Sequence, residues 1–126
     1  MFDTPPVPQR VTALIESGRL PPSLAECFDP ANMFLDEPPW REVAWMIDIH
    51  LANPNLDPGL RGELALMGAH AYIETCEYEM LELGKRSDRA LELLREARRH
   101  GIPDSELEPL FRSAWDTNEV AADIEN

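Results

Sequence analysis

The distribution of proline divides this chain of 126 residues into two parts with different capacities to form helices. Ten of the twelve prolines lie at or before Pro58, and none lies between Pro58 and Pro103. Proline interrupts helices and pushes the residue before it toward extended geometry. We therefore expect a leader of short helices and turns over residues 1–37, followed by a scaffold of longer helices.

Apolar residues after the leader recur at the spacing of a helix, and no segment alternates in the manner of a strand. The sequence predicts an all-α fold, a small bundle of about four main helices with a helical core over residues 38–115. Gly84–Asp88 is expected to separate the second of these helices from the third, with Ser87 or Asp88 as the cap. The predicted helices span about 38–52, 58–83, 87–100 and 104–115, and an acidic tail follows over residues 116–126.

The longest predicted helix has apolar residues on two sides, whereas a surface helix has them on one. Such a helix lies at the centre of a fold, with neighbouring helices or a second subunit on both sides, so a homodimer is one possibility. Gly68 would allow another helix to cross closely. The first side carries Leu60, Leu64, Met67, Ala71 and Tyr78, and the second carries Leu66, Ala69, Ile73, Cys76 and Met80.

The charge of the chain limits the partners that it can have. Its formal net charge is −13 at pH 7, which argues against broad binding of nucleic-acid phosphates. No apolar run approaches the length of a membrane span, and the first residues lack the pattern of a signal peptide. We therefore expect a cytoplasmic protein without membrane or direct nucleic-acid binding, with Cys27 and Cys76 as reduced thiols.

A protein partner with a basic surface fits this negative charge, since complementary charge accelerates association. Our leading hypothesis is a non-enzymatic inhibitor or antagonist, of the immunity or phage anti-defence type, that presents carboxylates where a nucleic acid would place phosphates. The leader would cover the apolar pair Trp45 and Ile49, or the pair would form an exposed partner-binding patch. The candidate binding residues are Trp45, Ile49, Tyr72 and Trp115 as anchors, and Glu74, Glu77, Glu79 and Glu82, with the carboxylates of 104–125, as charged contacts.

Two other functions compete with this hypothesis. One is an adaptor or secretion-type chaperone that holds its client through an apolar groove or dimer surface. The other is a metal-dependent helical enzyme, because one sector of the long helix carries Glu63, His70, Glu74 and Glu77. The same residues also fit a solvent-facing stripe with a His70–Glu74 hydrogen bond. No catalytic motif stands out, and we expect no cofactor.

Residues 85–99 reverse the sign of the overall charge, with six basic residues against three acidic ones. The two signs alternate at helical spacing, and Glu92 is placed to reach Arg95. This pattern is typical of a solvated helix face with weak ion pairs.

Overall fold

The computed structural model describes residues 6–33, 37–78 and 83–125, and their side chains over 9–33, 37–75 and 83–123. These residues form helices and no strand, so the predicted all-α fold is confirmed. The helices are α1 (Pro6–Glu16), α2 (Pro22–Glu26), a 3₁₀ turn (Pro30–Asn32), α3 (Trp40–Leu51), α4 (Pro58–Tyr78), α5 (Leu83–Arg99) and α6 (Asp104–Glu125).

The leader is built from the short elements that its prolines and glycine predict. α1 ends before Gly18, which has a φ of 71°, and the Arg19 amide donates to the Leu14 carbonyl at 3.1 Å. This geometry is a Schellman-type helix end, which favours glycine. The Asp29 carboxylate caps the 3₁₀ turn by accepting from the Ala31 amide at 2.9 Å. α1 packs against α4, and α2 packs against α3.

α4 lies at the centre of the bundle, as its two apolar sides predict. It packs against α1, α3, α5 and α6, and Leu64 and Leu66, one from each side, are both buried within the single chain. At Gly68, an added Cβ would lie 2.8 Å from Ile47 Cγ2 and 3.1 Å from Leu93 Cδ1. α3 and α5 therefore both approach α4 closely at Gly68, where α4 lacks a side chain.

α5 begins earlier than the sequence predicts. Gly84–Asp88 does not break the helix but forms the first turns of α5, so the prediction of a cap at Ser87 or Asp88 is wrong. Ser87 is fully buried; its hydroxyl donates to the Gly84 carbonyl at 3.1 Å and accepts from Asn118 Nδ2 at 2.8 Å. These contacts offset the weak helix propensity of the segment. Residues 79–82, between α4 and α5, lie outside the described residues.

α6 continues through most of the segment that we expected to be a tail. The helix does not end at Trp115 but runs to Glu125. Ala121 is buried against Leu83, and Asn118 donates to Asp88 Oδ1 at 2.8 Å, so the second half of α6 packs along the start of α5. No helix in the described ranges combines the length and apolarity needed to cross a membrane.

Candidate functional site

The outer side of α3 exposes the apolar pair Trp45 and Ile49, which we call the α3 patch. Trp45 is 64% exposed and Ile49 is 52% exposed, one helical turn apart. The leader packs on a different side of α3, where Cys27 Sγ lies 3.8 Å from Met46 Sδ. The interpretation in which the leader covers this pair is therefore wrong for the leader residues that the structure describes. Large apolar side chains exposed together are a common feature of docking surfaces.

A second exposed aromatic residue lies on α6. Trp115 is 53% exposed and stacks on Phe111, with ring centroids 5.2 Å apart and an angle of 28° between the planes. Exposed acidic side chains precede and follow it along α6, where the helical repeat brings them near its side of the helix. Arg112 offsets part of this charge through an ion pair with Glu108 at 3.2 Å. The α6 face consists of Trp115 with Glu108, Asp116, Glu119 and Asp123.

Tyr72, the remaining candidate anchor, is occupied inside the fold. Its hydroxyl donates to the Asp48 carboxylate, which also accepts from Arg89 Nη2 at 2.6 Å. Burial and this hydrogen bond to a carboxylate raise the pKa of Tyr72 to about 12. The three side chains link α3, α4 and α5. Tyr72 therefore has its partners inside the fold, unlike the exposed aromatic residues.

The predicted carboxylate series on α4 is only partly described. Glu74 is half-buried and lies beside His70, with 3.4 Å between Glu74 Oε1 and His70 Nε2. Glu77 belongs to α4, but its side chain is outside the described set, and Glu79 and Glu82 lie outside the described residues altogether. Of the predicted charged contacts, the exposed carboxylates that the structure describes lie on α6, mainly on the α6 face.

His70 is buried, so the prediction that it faces solvent is wrong. Only 3% of its surface is exposed, and its ring lies edge-on to Trp40 with a centroid distance of 4.8 Å. Burial lowers the pKa of His70 to about 4, which keeps the imidazole neutral at pH 7. The described residues contain no group of three His, Cys, Asp or Glu side chains placed to hold a metal ion.

Glu63, another member of the proposed metal set, is engaged by a residue that the sequence analysis did not select. Arg10 of α1 bridges Glu63 of α4 and Glu106 of α6 through its two terminal nitrogens. This bridge fixes the leader to the scaffold. Helical periodicity shows only which residues share one helix, so it carries no signal for a bridge between three helices.

Ion pairs on α5 follow the predicted type but differ in their partners. Glu92 pairs with Arg89 at 2.9 Å, whereas we expected it to reach Arg95. Arg99 pairs with Glu96, and Arg98 crosses to Asp104 of α6 at 3.0 Å. The side chain of Arg98 also covers the Phe111 ring, 4.8 Å from its centroid.

Comparison with known proteins assigns no family to this chain. No protein-family model matches it, and neither does any curated protein or any solved structure. The function proposed below therefore rests on the exposure, charge and contacts of the chain's own residues.

Proposed function

We propose that this chain is a non-enzymatic binding protein that occupies a basic surface of a protein partner through the α6 face. The supporting observation is the exposure of Trp115 among four carboxylates on one helix. The corresponding partner is a cytoplasmic nucleic-acid-binding protein, which the chain inhibits by covering the surface that holds phosphates.

The two kinds of side chain on the α6 face have different effects on binding. Tryptophan is enriched among the residues that dominate interface energies, because a large ring leaves water when it enters a pocket. Carboxylates around it act mainly on the association rate, since they attract a basic surface before contact. The net charge of −13 extends this attraction beyond α6.

The length of the α6 face suits the replacement of a short stretch of nucleic acid. Glu108 and Asp123 are fifteen positions apart, which corresponds to about 22 Å along a helix. Duplex DNA rises by about 3.4 Å per base pair, so the face matches the axial length of roughly six base pairs. A groove that accepts one helical turn or less of DNA could accept α6 in its place.

Capture from an extract of the native host at low and high salt tests this proposal. The bait proteins are the wild type, Trp115→Ala and a variant in which the charges of Asp116 and Glu119 are reversed. The control variant is Glu16→Lys, which reverses an exposed charge on α1. We expect one partner that the α6 variants lose and the Glu16 variant retains. Duplex DNA should compete with the chain for that partner, and raised salt should weaken the interaction.

Retention of every captured protein by both α6 variants would contradict the proposed use of this face. Binding that is indifferent to salt would contradict the electrostatic part of the argument.

The α3 patch favours a second candidate function, an adaptor or chaperone that holds its client by an apolar surface. Trp45→Ala distinguishes the two functions, because it removes an exposed ring of the same type as Trp115 from a different helix. A client that is lost with Trp45→Ala and kept with Trp115→Ala would favour the adaptor.

A further inference from the structure

We propose that a groove between α3 and α5 binds a small molecule bearing a phosphate monoester. The groove lies on other helices than the α6 face, so this proposal is independent of the proposed function. Its volume is about 480 Å³, within the range of small-ligand sites. The groove is lined by Leu51, Arg61, Arg89, Glu92, Leu93, Arg95, Glu96 and Arg99.

The groove is positively charged on a chain that is otherwise acidic. Four arginines and two glutamates line it, and a positive surplus remains when Asp48, which pairs with Arg89, is included. The chain as a whole carries a net charge of −13. Since opposite charge concentrates ligands in clefts, the groove attracts an anion that most of the remaining surface repels.

Two of the four guanidinium groups carry this surplus. Arg89 pairs with Asp48 and Glu92, and Arg99 pairs with Glu96. In contrast, neither Arg61 nor Arg95 pairs with a carboxylate among the described residues.

Arg61 is held in place without being neutralised by a carboxylate. Its Nη1 donates to the Leu51 carbonyl at 2.8 Å, and its Nη2 donates to the Asn53 carbonyl at 2.6 Å. A guanidinium has five N–H donors, so Arg61 keeps donors for a ligand after making these two bonds. Arg95 is exposed, and its guanidinium makes no hydrogen bond or ion pair with another of the described residues.

A phosphate monoester matches this arrangement better than other anions. It carries between one and two negative charges at neutral pH and accepts paired N–H bonds from guanidinium groups. Half-buried Leu51 offers a small apolar surface for the organic part of the ligand, whereas Leu93 beneath the groove is buried. Glu92 and Glu96 can accept hydrogen bonds from hydroxyl groups of the ligand. A polyphosphate or a nucleic acid would place negative charge along the whole groove, and these two glutamates would repel it.

Isothermal titration of the full chain with glucose 6-phosphate tests the proposal, with glucose and inorganic phosphate as the parallel probes. Arg95→Gln removes one positive charge from the groove. It breaks no ion pair among the described residues, so the fold should be retained. Arg98→Gln on the same helix is the matched control, because Arg98 points to Asp104 and Phe111 instead. We expect glucose 6-phosphate to bind, glucose not to bind, and Arg95→Gln to weaken binding about tenfold.

Equal weakening by Arg95→Gln and Arg98→Gln would overturn the assignment of the site, because it would reflect the general charge of α5. Absence of binding by both phosphate probes at millimolar concentration would overturn the proposal entirely. A phosphoserine peptide that binds where the sugar phosphate does not would overturn the assignment to a small molecule.

Discussion

Burial of His70 makes the stability of this fold depend on pH between about 6.5 and 4. The folded protein holds the pKa of His70 at about 4, whereas the ordinary value is 6.5. Above pH 6.5 the imidazole is neutral in both the folded and the unfolded chain, and the pKa shift costs no stability. As the pH falls, the unfolded chain takes up the proton first, so stability is lost progressively until the folded protein also becomes protonated near pH 4.

The size of this effect follows from the shift. A displacement from 6.5 to about 4 corresponds to about 2–3 kcal/mol of unfolding free energy between pH 7.5 and pH 4.5. This loss is a large fraction of the total unfolding free energy of a small domain, which is typically about 5–15 kcal/mol.

Urea unfolding followed by circular dichroism at pH 7.5 and pH 4.5 measures this loss directly. Wild type and His70→Leu are compared, with His50→Gln as the control for a histidine elsewhere on the scaffold. Acidic groups titrate in all three proteins, so the informative quantity is the difference in pH dependence between them. We expect His70→Leu to lose about 2 kcal/mol less than wild type on acidification. Identical losses in wild type and His70→Leu would refute the argument from burial.

Three further substitutions test contacts within the fold, each by urea unfolding at pH 7.5. Gly68→Ala should lower stability by about 1–3 kcal/mol, because its methyl group would lie 2.8 Å from a side-chain carbon of α3; unchanged stability would contradict the close crossing. Tyr72→Phe should lower the free energy of unfolding by about 1–2 kcal/mol, because the Tyr72 hydroxyl donates to the charged Asp48 carboxylate. In an Asp48→Ala background the same substitution should cost less, since that acceptor is already absent. Equal costs in both backgrounds would show that the two side chains are not coupled. Arg10→Ala should cost about 1–2 kcal/mol and Arg10→Lys nearly as much, because an ammonium does not replace a bridge through two guanidinium nitrogens; full rescue by lysine would count against the bridge.

The sequence predicts most of the scaffold because local signals and tertiary packing agree there. Apolar spacing identifies the buried side of α3 and the two buried sides of α4, and glycines at positive φ mark the ends of α1 and α5. Gly84–Asp88 is the exception, since its residues favour caps and turns in isolation. The burial of Ser87 against Asn118, thirty-one positions away, overrides that preference and cannot be read from the segment alone.

The candidate site was less predictable than the fold. Exposure of Trp45 follows from its position opposite the buried stripe of α3, so helical periodicity was sufficient to select it. Trp115 lies instead at the edge of the buried side of α6, beside Phe111, and periodicity alone does not fix its exposure. The surroundings of His70 and Arg10 depend instead on how the leader and α3 pack onto α4. A helical wheel contains no information about these contacts, because they join segments that are far apart in the sequence.

The enclosure of α4 has a consequence for how this protein can change over time. Substitutions along that central helix are constrained from several directions at once, because other helices pack on both of its apolar sides. The carboxylates of the α6 face are exposed, so their identity can change at little cost to folding. A lineage of such proteins could therefore acquire new binding preferences while its architecture stays the same.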